Sequence, residues 1–497
     1  MRMAAIAGIT VGAIAILALA ALIATPMIRE GFWCDEGFSI AVARAGSVTE
    51  FFHDIRIGDP HPPLFNALLA VLGRAVRWEE IPIKLFALLW GLLSIAGIMA
   101  AAWQLTGRSM AGVLAGAVAL HSPLVTSHLA EARGYAMSVA FLTFGIAALR
   151  RRPVLATVLL SLACWSHYIA LVAVVSCGLI ALILRWREVA KTNLIAAATT
   201  LPLLPLMLGY ASIGLPHEHR PSLLEALTVA RRKIGFALPH ADFAPAPAGA
   251  IALVAVVLLP LLLLPSLGPA LRTRAHELAL LAAYAVPVLA IFGPIGTAER
   301  YVLIGAALLC VIIAVLLVAL DEAARSRPRV QLALRSVLGA YFALSLGSVA
   351  LDAPAIIEAS HHITKSGVRT LARGAHLGAD DVILAAPDTY APTVVYYAPA
   401  SRVAGYPQWD TPQITEMAKQ HELWTRANGA AETAARLRQL IAQRHPRRVF
   451  FICPPPPYDR PQMNELRAEI QRQFNVTALG TFAGRVETIN AYGLTPR

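Results

Sequence analysis

The chain has 497 residues, of which 57% are hydrophobic and only 14% are charged, and its mean hydropathy is +0.62. These values exclude an ordinary soluble domain and predict a polytopic membrane protein. The net charge of +12 does not indicate nucleic-acid binding, because the arginines fall in short clusters between apolar runs, as the positive-inside rule predicts.

Twelve apolar segments are candidate membrane spans. The first, residues 4–28, contains no charged residue and exceeds the roughly 20 apolar residues that cross a hydrocarbon core. It is too long for the apolar region of a signal peptide, so we expect it to be a retained helix. The other spans are expected at 61–77, 81–105, 109–128, 134–149, 153–168, 169–184, 194–213, 249–271, 277–293, 301–320 and 331–351.

The basic connections predict the orientation. Arginine-rich loops at 150–152, 185–187, 272–274 and 325–329 are expected to face the cytoplasm. The segments that are then expected on the opposite, outer face are residues 29–60, 129–133, 166–168, 214–248, 294–300 and everything after 352. Twelve spans with an inner N-terminus would leave the C-terminus inside, so we expect an odd number of transmembrane helices, 11 or 13.

Residues 352–497 differ from the rest in pattern. The β-rich runs 381–384 and 448–452 interleave with helical stretches near 411–444 and 461–474, which predicts a small α/β domain. We therefore expect a transmembrane domain over 1–351, with an outer loop at 29–60, and an extracytoplasmic α/β domain over 352–497. The five cysteines are scattered, with no pair at metal-ligand spacing.

Unusual polar residues gather in the segments that are assigned to the outer face. They are carboxylates, arginines, histidines and tyrosines from four separate loops. The first loop gives Asp35, Glu36, Asp59 and His61; the others give Glu131, Arg133 and Tyr135, then His167 and Tyr168, then Arg300 and Tyr301. Ionisable groups at membrane depth are candidates for function. Their shared side predicts a polar cavity.

This set of residue types suits transfer of a group from a phosphate leaving group. A carboxylate can take a proton from an acceptor hydroxyl, and such help accelerates a reaction by about 10²–10⁴-fold. An arginine binds phosphate oxygens through paired, charge-assisted hydrogen bonds. Because no nucleotide pool exists outside the cell, the activated donor is expected to be tethered to lipid.

Each residue also has a purely structural explanation. Glu131 and Arg133 could simply pair with each other at a helix end, and His167 could be a hydrogen-bonded turn residue. Arg300 could anchor a helix among the lipid headgroups, and Asp35-Glu36 could be a solvated acidic loop. The sequence leaves these alternatives open.

Three motifs resemble the GT-C superfamily of membrane glycosyltransferases, and in pattern the family 39 type of protein mannosyltransferases and aminoarabinose transferases. They are Trp33-Cys34-Asp35-Glu36-Gly37-Phe38-Ser39, Asp59-Pro60-His61-Pro62-Pro63-Leu64-Phe65 and Glu131-Ala132-Arg133-Gly134-Tyr135. His167-Tyr168 and Arg300-Tyr301 fall where similar proteins carry like pairs. The resemblance covers roughly residues 1–350.

The resemblance implies a sugar transferase that uses a polyprenyl-phosphate donor and inverts the anomeric centre. Asp35 would be the catalytic base and Glu36 would support it. Binding of the donor phosphate and substrate would fall to Arg133, Arg300, Tyr301, Tyr135, His167, Tyr168 and His61. His61 stands where aminoarabinose transferases tend to carry a lysine before Pro-Pro, which favours a neutral hexose or pentose donor.

The cofactor is left open. A divalent metal, Mg²⁺, Mn²⁺ or Zn²⁺, could bind Asp59 and Glu131, because carboxylate oxygens suit these ions. The expected partners are the lipid-linked donor, membrane lipid and an acceptor that is a glycan, a lipid or a protein. The expected location is the plasma (inner) membrane, with the active site outside the cytoplasm.

Two other functions fit parts of the pattern. A transporter or flippase of lipid-linked glycans would also need many spans, but it usually shows charges near the midplane and inverted repeats. A membrane scaffold would leave Asp35-Glu36 without a role. The loop 214–248, with His217, Glu218, His219 and Arg220, could form a mobile flap over the site.

Overall fold

The computed structural model describes residues 2–59, 61–212, 228–229, 231, 233, 267–292, 299–351, 365–410, 414, 423–424, 426, 428–456, 461–485 and 487–497. Helices dominate the first 351 residues. They are α1 Arg2–Arg29, α2 Cys34–Ala43, α3 Val48–Gly58, α4 Leu64–Ala75, α5 Glu80–Thr106, α6 Ser109–Leu120, α7 Pro123–Ser127, α8 Gly134–Ala148, α9 Pro153–Ser166, α10 Tyr168–Ile183, α11 Arg187–Ala198, α12 Leu204–Ser212, α13 Ala275–Phe292, α14 Leu303–Ala323 and α15 Pro328–Leu351.

Several of these helices have the length and composition of membrane spans. Among the described residues, five are long and apolar enough to cross: Thr10–Arg29, Glu80–Thr106, Arg187–Leu208, Ala275–Phe292 and Arg300–Ser326. Five shorter apolar helices accompany them. The predicted helical, polytopic membrane protein is confirmed. The helix number of 11 or 13 stays a prediction, since the expected span 249–271 lies largely outside the described residues.

Two predicted spans are interrupted. The span expected at 109–128 divides at His121-Ser122, and Pro123 begins the short helix α7. Proline has no N–H, and at the first position of a helix an N–H would have no helical partner, so the residue is tolerated there. The span expected at 194–213 consists of α11 and α12, joined by a 3₁₀ turn over Leu201–Leu203. Pro202 lies in that turn, where it cannot donate a helical hydrogen bond.

The segment expected as an outer loop, 29–60, contains the helices α2 and α3. Ser47 precedes α3, and its hydroxyl accepts a hydrogen bond from the Glu50 N–H at 3.1 Å. The Glu50 carboxylate in turn accepts from the Gly46 N–H at 2.7 Å. The Ser47 bond satisfies one N–H that the first turn leaves unpaired, and the Glu50 bond ties that turn to the residue before the cap, so a helix begins here.

The C-terminal residues form the predicted small α/β domain. Its strands are β1 Asp381–Ala385, β2 Arg402–Gly405, β3 Arg448–Cys453, β4 Phe474–Phe482 and β5 Ile489–Pro496. The strand order is β2-β1-β3-β5-β4, with β2, β1 and β3 parallel and β5 and β4 antiparallel. The strands predicted at 381–384 and 448–452 are confirmed as β1 and β3.

Helices flank this sheet and bury its central strands. They are α16 Gly367–Ala375, α17 Ala391–Tyr397, α18 Gly429–Arg444 and α19 Pro461–Gln473. All five residues of β1 are buried, as expected for a parallel strand that is covered on both faces. One face packs against Leu437 and Leu466, and the other packs against Val368 and Val394. Of the helical stretch expected at 411–444, the part before Gly429 lies mostly outside the described residues.

The contacts divide the chain into two compact units. Unit 1 comprises residues 1–25, 85–202 and 220–358, and unit 2 comprises 26–84, 203–219 and 359–497. The helices α2 to α4 thus belong to the same unit as the C-terminal sheet. The expected domain boundary at 351/352 stays a prediction. The proposed flap at 214–248 lies almost entirely outside the described residues and stays a prediction as well.

Candidate active site

The first turn of α2 carries Asp35 and Glu36. The helix begins at Cys34, after an extended Trp33 with φ −111° and ψ 179°. Because the N–H groups of a first turn have no helical acceptors, this turn favours negative charge. Glu36 is fully buried, whereas Asp35 is half-buried. Of these two carboxylates, that of Asp35 is therefore the one that a substrate can reach.

Two lysine side chains hold the Glu36 carboxylate. Lys84 Nζ lies 2.6 Å from Glu36 Oε1, and Lys365 Nζ lies 3.2 Å from Glu36 Oε2. The Trp33 N–H also donates to Oε2, at 3.4 Å. Both ammonium groups are almost fully buried. A buried charge is costly unless opposite charges compensate it, and the two ammonium groups provide this compensation for Glu36.

Aromatic rings complete the surroundings of the two lysines. Lys84 Nζ lies 5.2 Å from the centroid of the Phe32 ring, and Lys365 Nζ lies 5.3 Å from that of the Trp33 ring. A cation over an aromatic face gains about 0.5–2 kcal/mol, more when it is desolvated. The residues just before α2 therefore contribute to holding both cations beside Glu36.

Glycines on both sides of the acidic pair allow close packing. Gly31 has φ +83°, and a Cβ there would lie 2.5 Å from both Arg369 Cδ and the Tyr397 hydroxyl. A Cβ on Gly37 would lie 2.5 Å from Thr393 Oγ1 and 3.0 Å from the Thr393 backbone nitrogen. Only a residue without a side chain lets the start of α2 approach α17 this closely.

Replacement of Gly37 by alanine should therefore destabilise the protein by about 1–3 kcal/mol, because the added methyl group meets the Thr393 backbone, which cannot rotate away. The free energy of unfolding in detergent measures this effect. Gly374→Ala is the matched control, since Gly374 is also helical and a Cβ there has nothing within 4 Å. Equal stability of the two variants would contradict the close approach.

Asp59 and His61 form a second acidic centre in unit 2. Asp59 is 1% exposed, and its Oδ1 is hydrogen-bonded to His61 Nδ1. Its other oxygen, Oδ2, accepts from Asn66 Nδ2 at 2.8 Å. Asp59 therefore orients the imidazole of His61, which is half-buried, and fixes the start of α4. Pro60, which stands between the two in the motif, lies outside the described residues.

Glu487 is a buried carboxyl group near Asp35. It is 7% exposed, and the Ser366 hydroxyl donates a hydrogen bond to its Oε2. Burial raises the pKa of Glu487 to about 7; the negative charge of Asp35 adds to the rise, whereas the Ser366 hydrogen bond and Lys365 oppose it. This carboxyl group therefore changes its charge near neutral pH.

In unit 1, Glu131 lies in the turn between α7 and α8. Its Oε2 lies 3.2 Å from His128 Nε2. His128 Nδ1 lies 2.8 Å from the Leu124 carbonyl oxygen. Both ring nitrogens of His128 are thus held by oxygen atoms, which fixes the orientation of the imidazole beside Glu131. A Cβ on Gly91 would lie 2.1 Å from the Leu129 carbonyl oxygen, so this glycine lets α5 pack against the turn.

Arg133 immediately precedes α8, and Tyr135 lies in its first turn. Arg133 and Tyr135 are 6% and 4% exposed. The Tyr135 ring packs against the His167 ring, with centroids 4.5 Å apart and the ring planes inclined at 34°. His167 immediately precedes α10 and caps it, since its Nδ1 accepts from the Ile169 N–H at 3.1 Å. Tyr168 is the first residue of that helix. The role of His167 in substrate binding stays a prediction.

Arg300 and Tyr301 lie in a 3₁₀ turn over Glu299–Val302, just before α14. The Arg300 guanidinium carbon lies 5.6 Å from the centroid of the Tyr301 ring. Tyr301 also contacts Phe292, with ring centroids 6.5 Å apart. The Tyr301 ring therefore restricts the movement of the Arg300 side chain. Residues 293–298, which precede the turn, lie outside the described residues.

The predicted site residues thus form local groups within the two units. Unit 2 contains Asp35, Glu36, Asp59 and His61; unit 1 contains Glu131, Arg133, Tyr135, His167, Tyr168, Arg300 and Tyr301. Within unit 1 the structure brings Tyr135 and His167 into contact. The catalytic and binding roles of all these residues stay predictions.

Three residues of the Asp35 site were missed by the sequence reasoning. Lys84 had a detectable signal, because it is a lone charge near the start of a long apolar run. Lys365 and Glu487 belong to no motif, and their contacts with the first 40 residues join distant parts of the sequence. No periodicity or spacing could have found those two.

The structure describes each of the two predicted metal ligands within its own unit. Asp59 belongs to unit 2 and Glu131 belongs to unit 1, and each already binds an imidazole. Within the described part of the chain, no group of three or more His, Cys, Asp or Glu side chains could hold a metal ion. Metal binding by Asp59 and Glu131 stays a prediction.

Comparison with known proteins gives structural matches. No family model matches the sequence, and no curated protein matches it. The fold is similar to the crystal structure of ArnT from Cupriavidus metallidurans in the apo state, with 15% identity, a TM-score of 0.59 and 98% of each chain covered. It is also similar to ArnT from the same organism bound to undecaprenyl phosphate, with 14% identity, a TM-score of 0.55 and the same coverage.

ArnT is an aminoarabinose transferase of the GT-C type. At this level of identity the likeness establishes the fold, and it extends over nearly the whole chain, the C-terminal sheet included. The sequence resemblance had implied this fold for roughly residues 1–350. The chain therefore has the GT-C-like fold of these membrane glycosyltransferases.

Proposed function

We propose that the chain is a membrane glycosyltransferase that moves a sugar from a polyprenyl-phosphate donor to a hydroxyl acceptor, with inversion. The observation that carries this proposal is the first turn of α2, where a reachable Asp35 adjoins a buried Glu36 that two lysines hold. This turn occurs in a chain with the fold of ArnT, one of whose crystal structures contains undecaprenyl phosphate.

In the proposed reaction the Asp35 carboxylate takes the proton of the acceptor hydroxyl. The acceptor oxygen attacks the anomeric carbon from the face opposite the phosphate. The bond from that carbon to the phosphate oxygen breaks, and the polyprenyl phosphate leaves with the electron pair. General base catalysis accelerates this step by about 10²–10⁴-fold. Attack from the opposite face is what inverts the anomeric centre.

We assign the donor phosphate to Arg133 and Arg300. A guanidinium binds phosphate oxygens through charge-assisted hydrogen bonds, worth about 1.5–3 kcal/mol each. Arg133 is nearly buried at the start of α8, and Arg300 is restricted by Tyr301. The burial of Arg133 and the contact of Arg300 with Tyr301 both reduce the conformational entropy that these side chains lose when the phosphate binds. Tyr135, His167, Tyr168, Tyr301 and His61 are assigned to the surrounding substrate surface.

The proposed donor sugar is a neutral hexose or pentose. This assignment rests on His61, which stands where aminoarabinose transferases tend to carry a lysine before Pro-Pro; here Asp59 binds its imidazole. The acceptor is a glycan, a lipid or a protein. We place the enzyme in the plasma membrane with Asp35 and the C-terminal domain outside the cytoplasm, as the arginine clusters predict.

Transfer from a panel of radiolabelled polyprenyl-phosphate sugars tests this function in membranes that contain the protein. We expect label to move into envelope material from at least one hexose or pentose donor, and not in membranes from a strain that lacks the protein. Mass analysis of the envelope glycans from the two strains should then show the missing sugar. Identical glycans and no transfer from any donor would overturn the proposal.

Arg133→Ala should raise the KM for the donor by roughly 10-fold or more, because one charge-assisted interaction with the phosphate is lost. Steady-state kinetics over a range of donor concentrations give this value. Arg151→Ala is the control, since it removes an exposed arginine from the predicted cytoplasmic side. An unchanged KM in Arg133→Ala would exclude a phosphate contact at this residue.

A further inference from the structure

Five ionisable groups, four of them buried and Asp35 half-buried, lie around the first turn of α2. They come from α2 itself, from the start of α5 and from two places in the C-terminal residues. They are Asp35 and Glu36, then Lys84, then Lys365 and Glu487. Isolated buried charges are costly, so such a cluster persists only if its charges compensate one another. The net charge of these five groups therefore affects the stability of the cluster.

The two C-terminal members are fixed to each other through the backbone. The Glu487 N–H donates to the Lys365 carbonyl at 3.1 Å, and the Gly367 N–H donates to the Glu487 carbonyl at 2.9 Å. Between them, the Ser366 hydroxyl donates to the Glu487 carboxyl group. Lys365 in turn donates its N–H to the Glu30 carbonyl at 2.7 Å. Both residues are thus held in place, next to the segment that leads into α2.

The charges of the cluster cancel only when Glu487 is neutral. Lys84 and Lys365 contribute two positive charges, and Asp35 and Glu36 contribute two negative ones. The Glu487 carboxyl group, whose pKa burial raises to about 7, adds a fifth charge when it ionises. The groups that act on it are Asp35 from α2, Lys365 from the segment before α16 and the Tyr390 phenol. Tyr390 remains neutral, because burial raises its pKa above the ordinary value.

We propose that Lys365 and Glu487 are positioning residues of the Asp35 site. Lys365 holds Glu36, and with it the turn that presents Asp35. Glu487 sets the net charge of the cluster beside Asp35, and its neutral form leaves the cluster balanced for a negatively charged donor. The C-terminal residues are thus part of the catalytic arrangement. This inference rests on the proposed sugar transfer from a polyprenyl-phosphate donor.

Glu487→Gln tests the charge of the cluster, because glutamine reproduces the neutral form at every pH. In the wild type, ionisation of Glu487 above about pH 7 should repel the negatively charged donor. The KM for the donor should therefore rise roughly three- to tenfold between pH 6 and pH 8. In Glu487→Gln the KM should stay level. The donor is a phosphodiester, which carries one negative charge over this whole range, so its own titration cannot produce the difference.

The same variant gives a readout that does not depend on activity. A carboxyl group whose pKa is raised on folding contributes fully to stability below its unfolded value of 4.5, and this contribution is lost as the pH rises through about 7. The melting temperature of the wild type should therefore fall relative to that of Glu487→Gln between pH 5 and pH 8. Parallel melting curves over this range would overturn the role of Glu487, whatever the enzyme transfers.

The variants Lys365→Met and Lys365→Arg test whether the ion pair of Lys365 with Glu36 positions the site. We expect Lys365→Met to lower kcat at least tenfold with a smaller change in the KM of the donor, and Lys365→Arg to restore most of kcat. Arg485→Gln is the matched control. Arg485 binds Glu30 through two hydrogen bonds of 2.7 and 2.8 Å, so its loss removes an ion pair between the same two stretches of chain without touching Glu36.

The outcomes separate this inference from the proposed function. If the wild type transfers sugar and Lys365→Met loses no more kcat than Arg485→Gln, the positioning role of Lys365 is overturned and the function stands. If Lys365→Arg is as inactive as Lys365→Met, the specific contact with Glu36 is contradicted as well. If no donor supports transfer by the wild type, the proposed function is wrong. The melting curves of Glu487→Gln then still test whether Glu487 changes the charge of the cluster near pH 7.

Discussion

Asp35→Asn should reduce kcat for sugar transfer by about 10²–10⁴-fold, because an amide cannot take the proton of the acceptor hydroxyl. The side chain keeps its size, and its position in the first turn of α2 is unchanged. Because the change also removes one negative charge from the cluster, donor binding should not weaken. Single-turnover assays with saturating donor give the rate of the chemical step, and equilibrium binding of the labelled donor gives its affinity.

Asp380→Asn is the control for this experiment. It makes the same chemical change at an exposed aspartate of the same unit, just before β1. We expect its kcat to equal that of the wild type. If Asp35→Asn also transfers sugar at the full rate, Asp35 is not the base and the assignment of the site to α2 is wrong.

Glu36→Gln should have the largest effect on stability. It leaves the ammonium groups of Lys84 and Lys365 buried near each other with no carboxylate between them. Removal of one partner from a buried charged group typically costs about 3–5 kcal/mol, because the remaining charge is uncompensated. Denaturant unfolding in detergent, or the yield of monodisperse protein if the variant is too unstable to purify, measures this loss.

Glu79→Gln is the matched control for Glu36→Gln. Glu79 is exposed, and it lies close in sequence to Lys84 without binding it. We expect its stability to be within about 0.5 kcal/mol of that of the wild type. A Glu36→Gln variant as stable as Glu79→Gln would show that the two lysines do not need this carboxylate, and the charge balance of the cluster would then be wrong.

The membrane fold could be predicted from the sequence because lipid imposes a simple requirement. Long apolar runs such as 81–105 must become helices, since every backbone polar group in the hydrocarbon needs an internal partner. The helix α5, Glu80–Thr106, matches that run almost residue for residue. The strands β1 and β3 were equally readable, because they are short apolar runs between turns.

The helix interruptions were less predictable. The run 109–128 is apolar overall, yet it divides at His121-Ser122 because Pro123 starts a new helix and Ser122 accepts a hydrogen bond from the Val125 N–H. The segment 29–60 has no long apolar run, so it was predicted as a loop. Local capping by Ser47 and Glu50 forms α3 there without any membrane-spanning pattern.

The active site was predictable only in part, for a physical reason. Asp35 and Glu36 lie in a recognisable local motif, so a resemblance could identify them. The groups that compensate Glu36 lie at Lys84 and Lys365, and the second of these is more than 300 residues away. Compensation of a buried charge depends on three-dimensional proximity, and a single sequence carries no signal for contacts of this kind.

In the proposed function the bond between a sugar and a polyprenyl phosphate is broken, and the stoichiometry of that step tests the proposal most directly. Purified protein in liposomes should release one polyprenyl phosphate for each sugar transferred from a labelled donor, and the product should have the opposite anomeric configuration. Movement of the intact lipid-linked sugar between leaflets, with no polyprenyl phosphate released, would contradict the claim and identify a flippase.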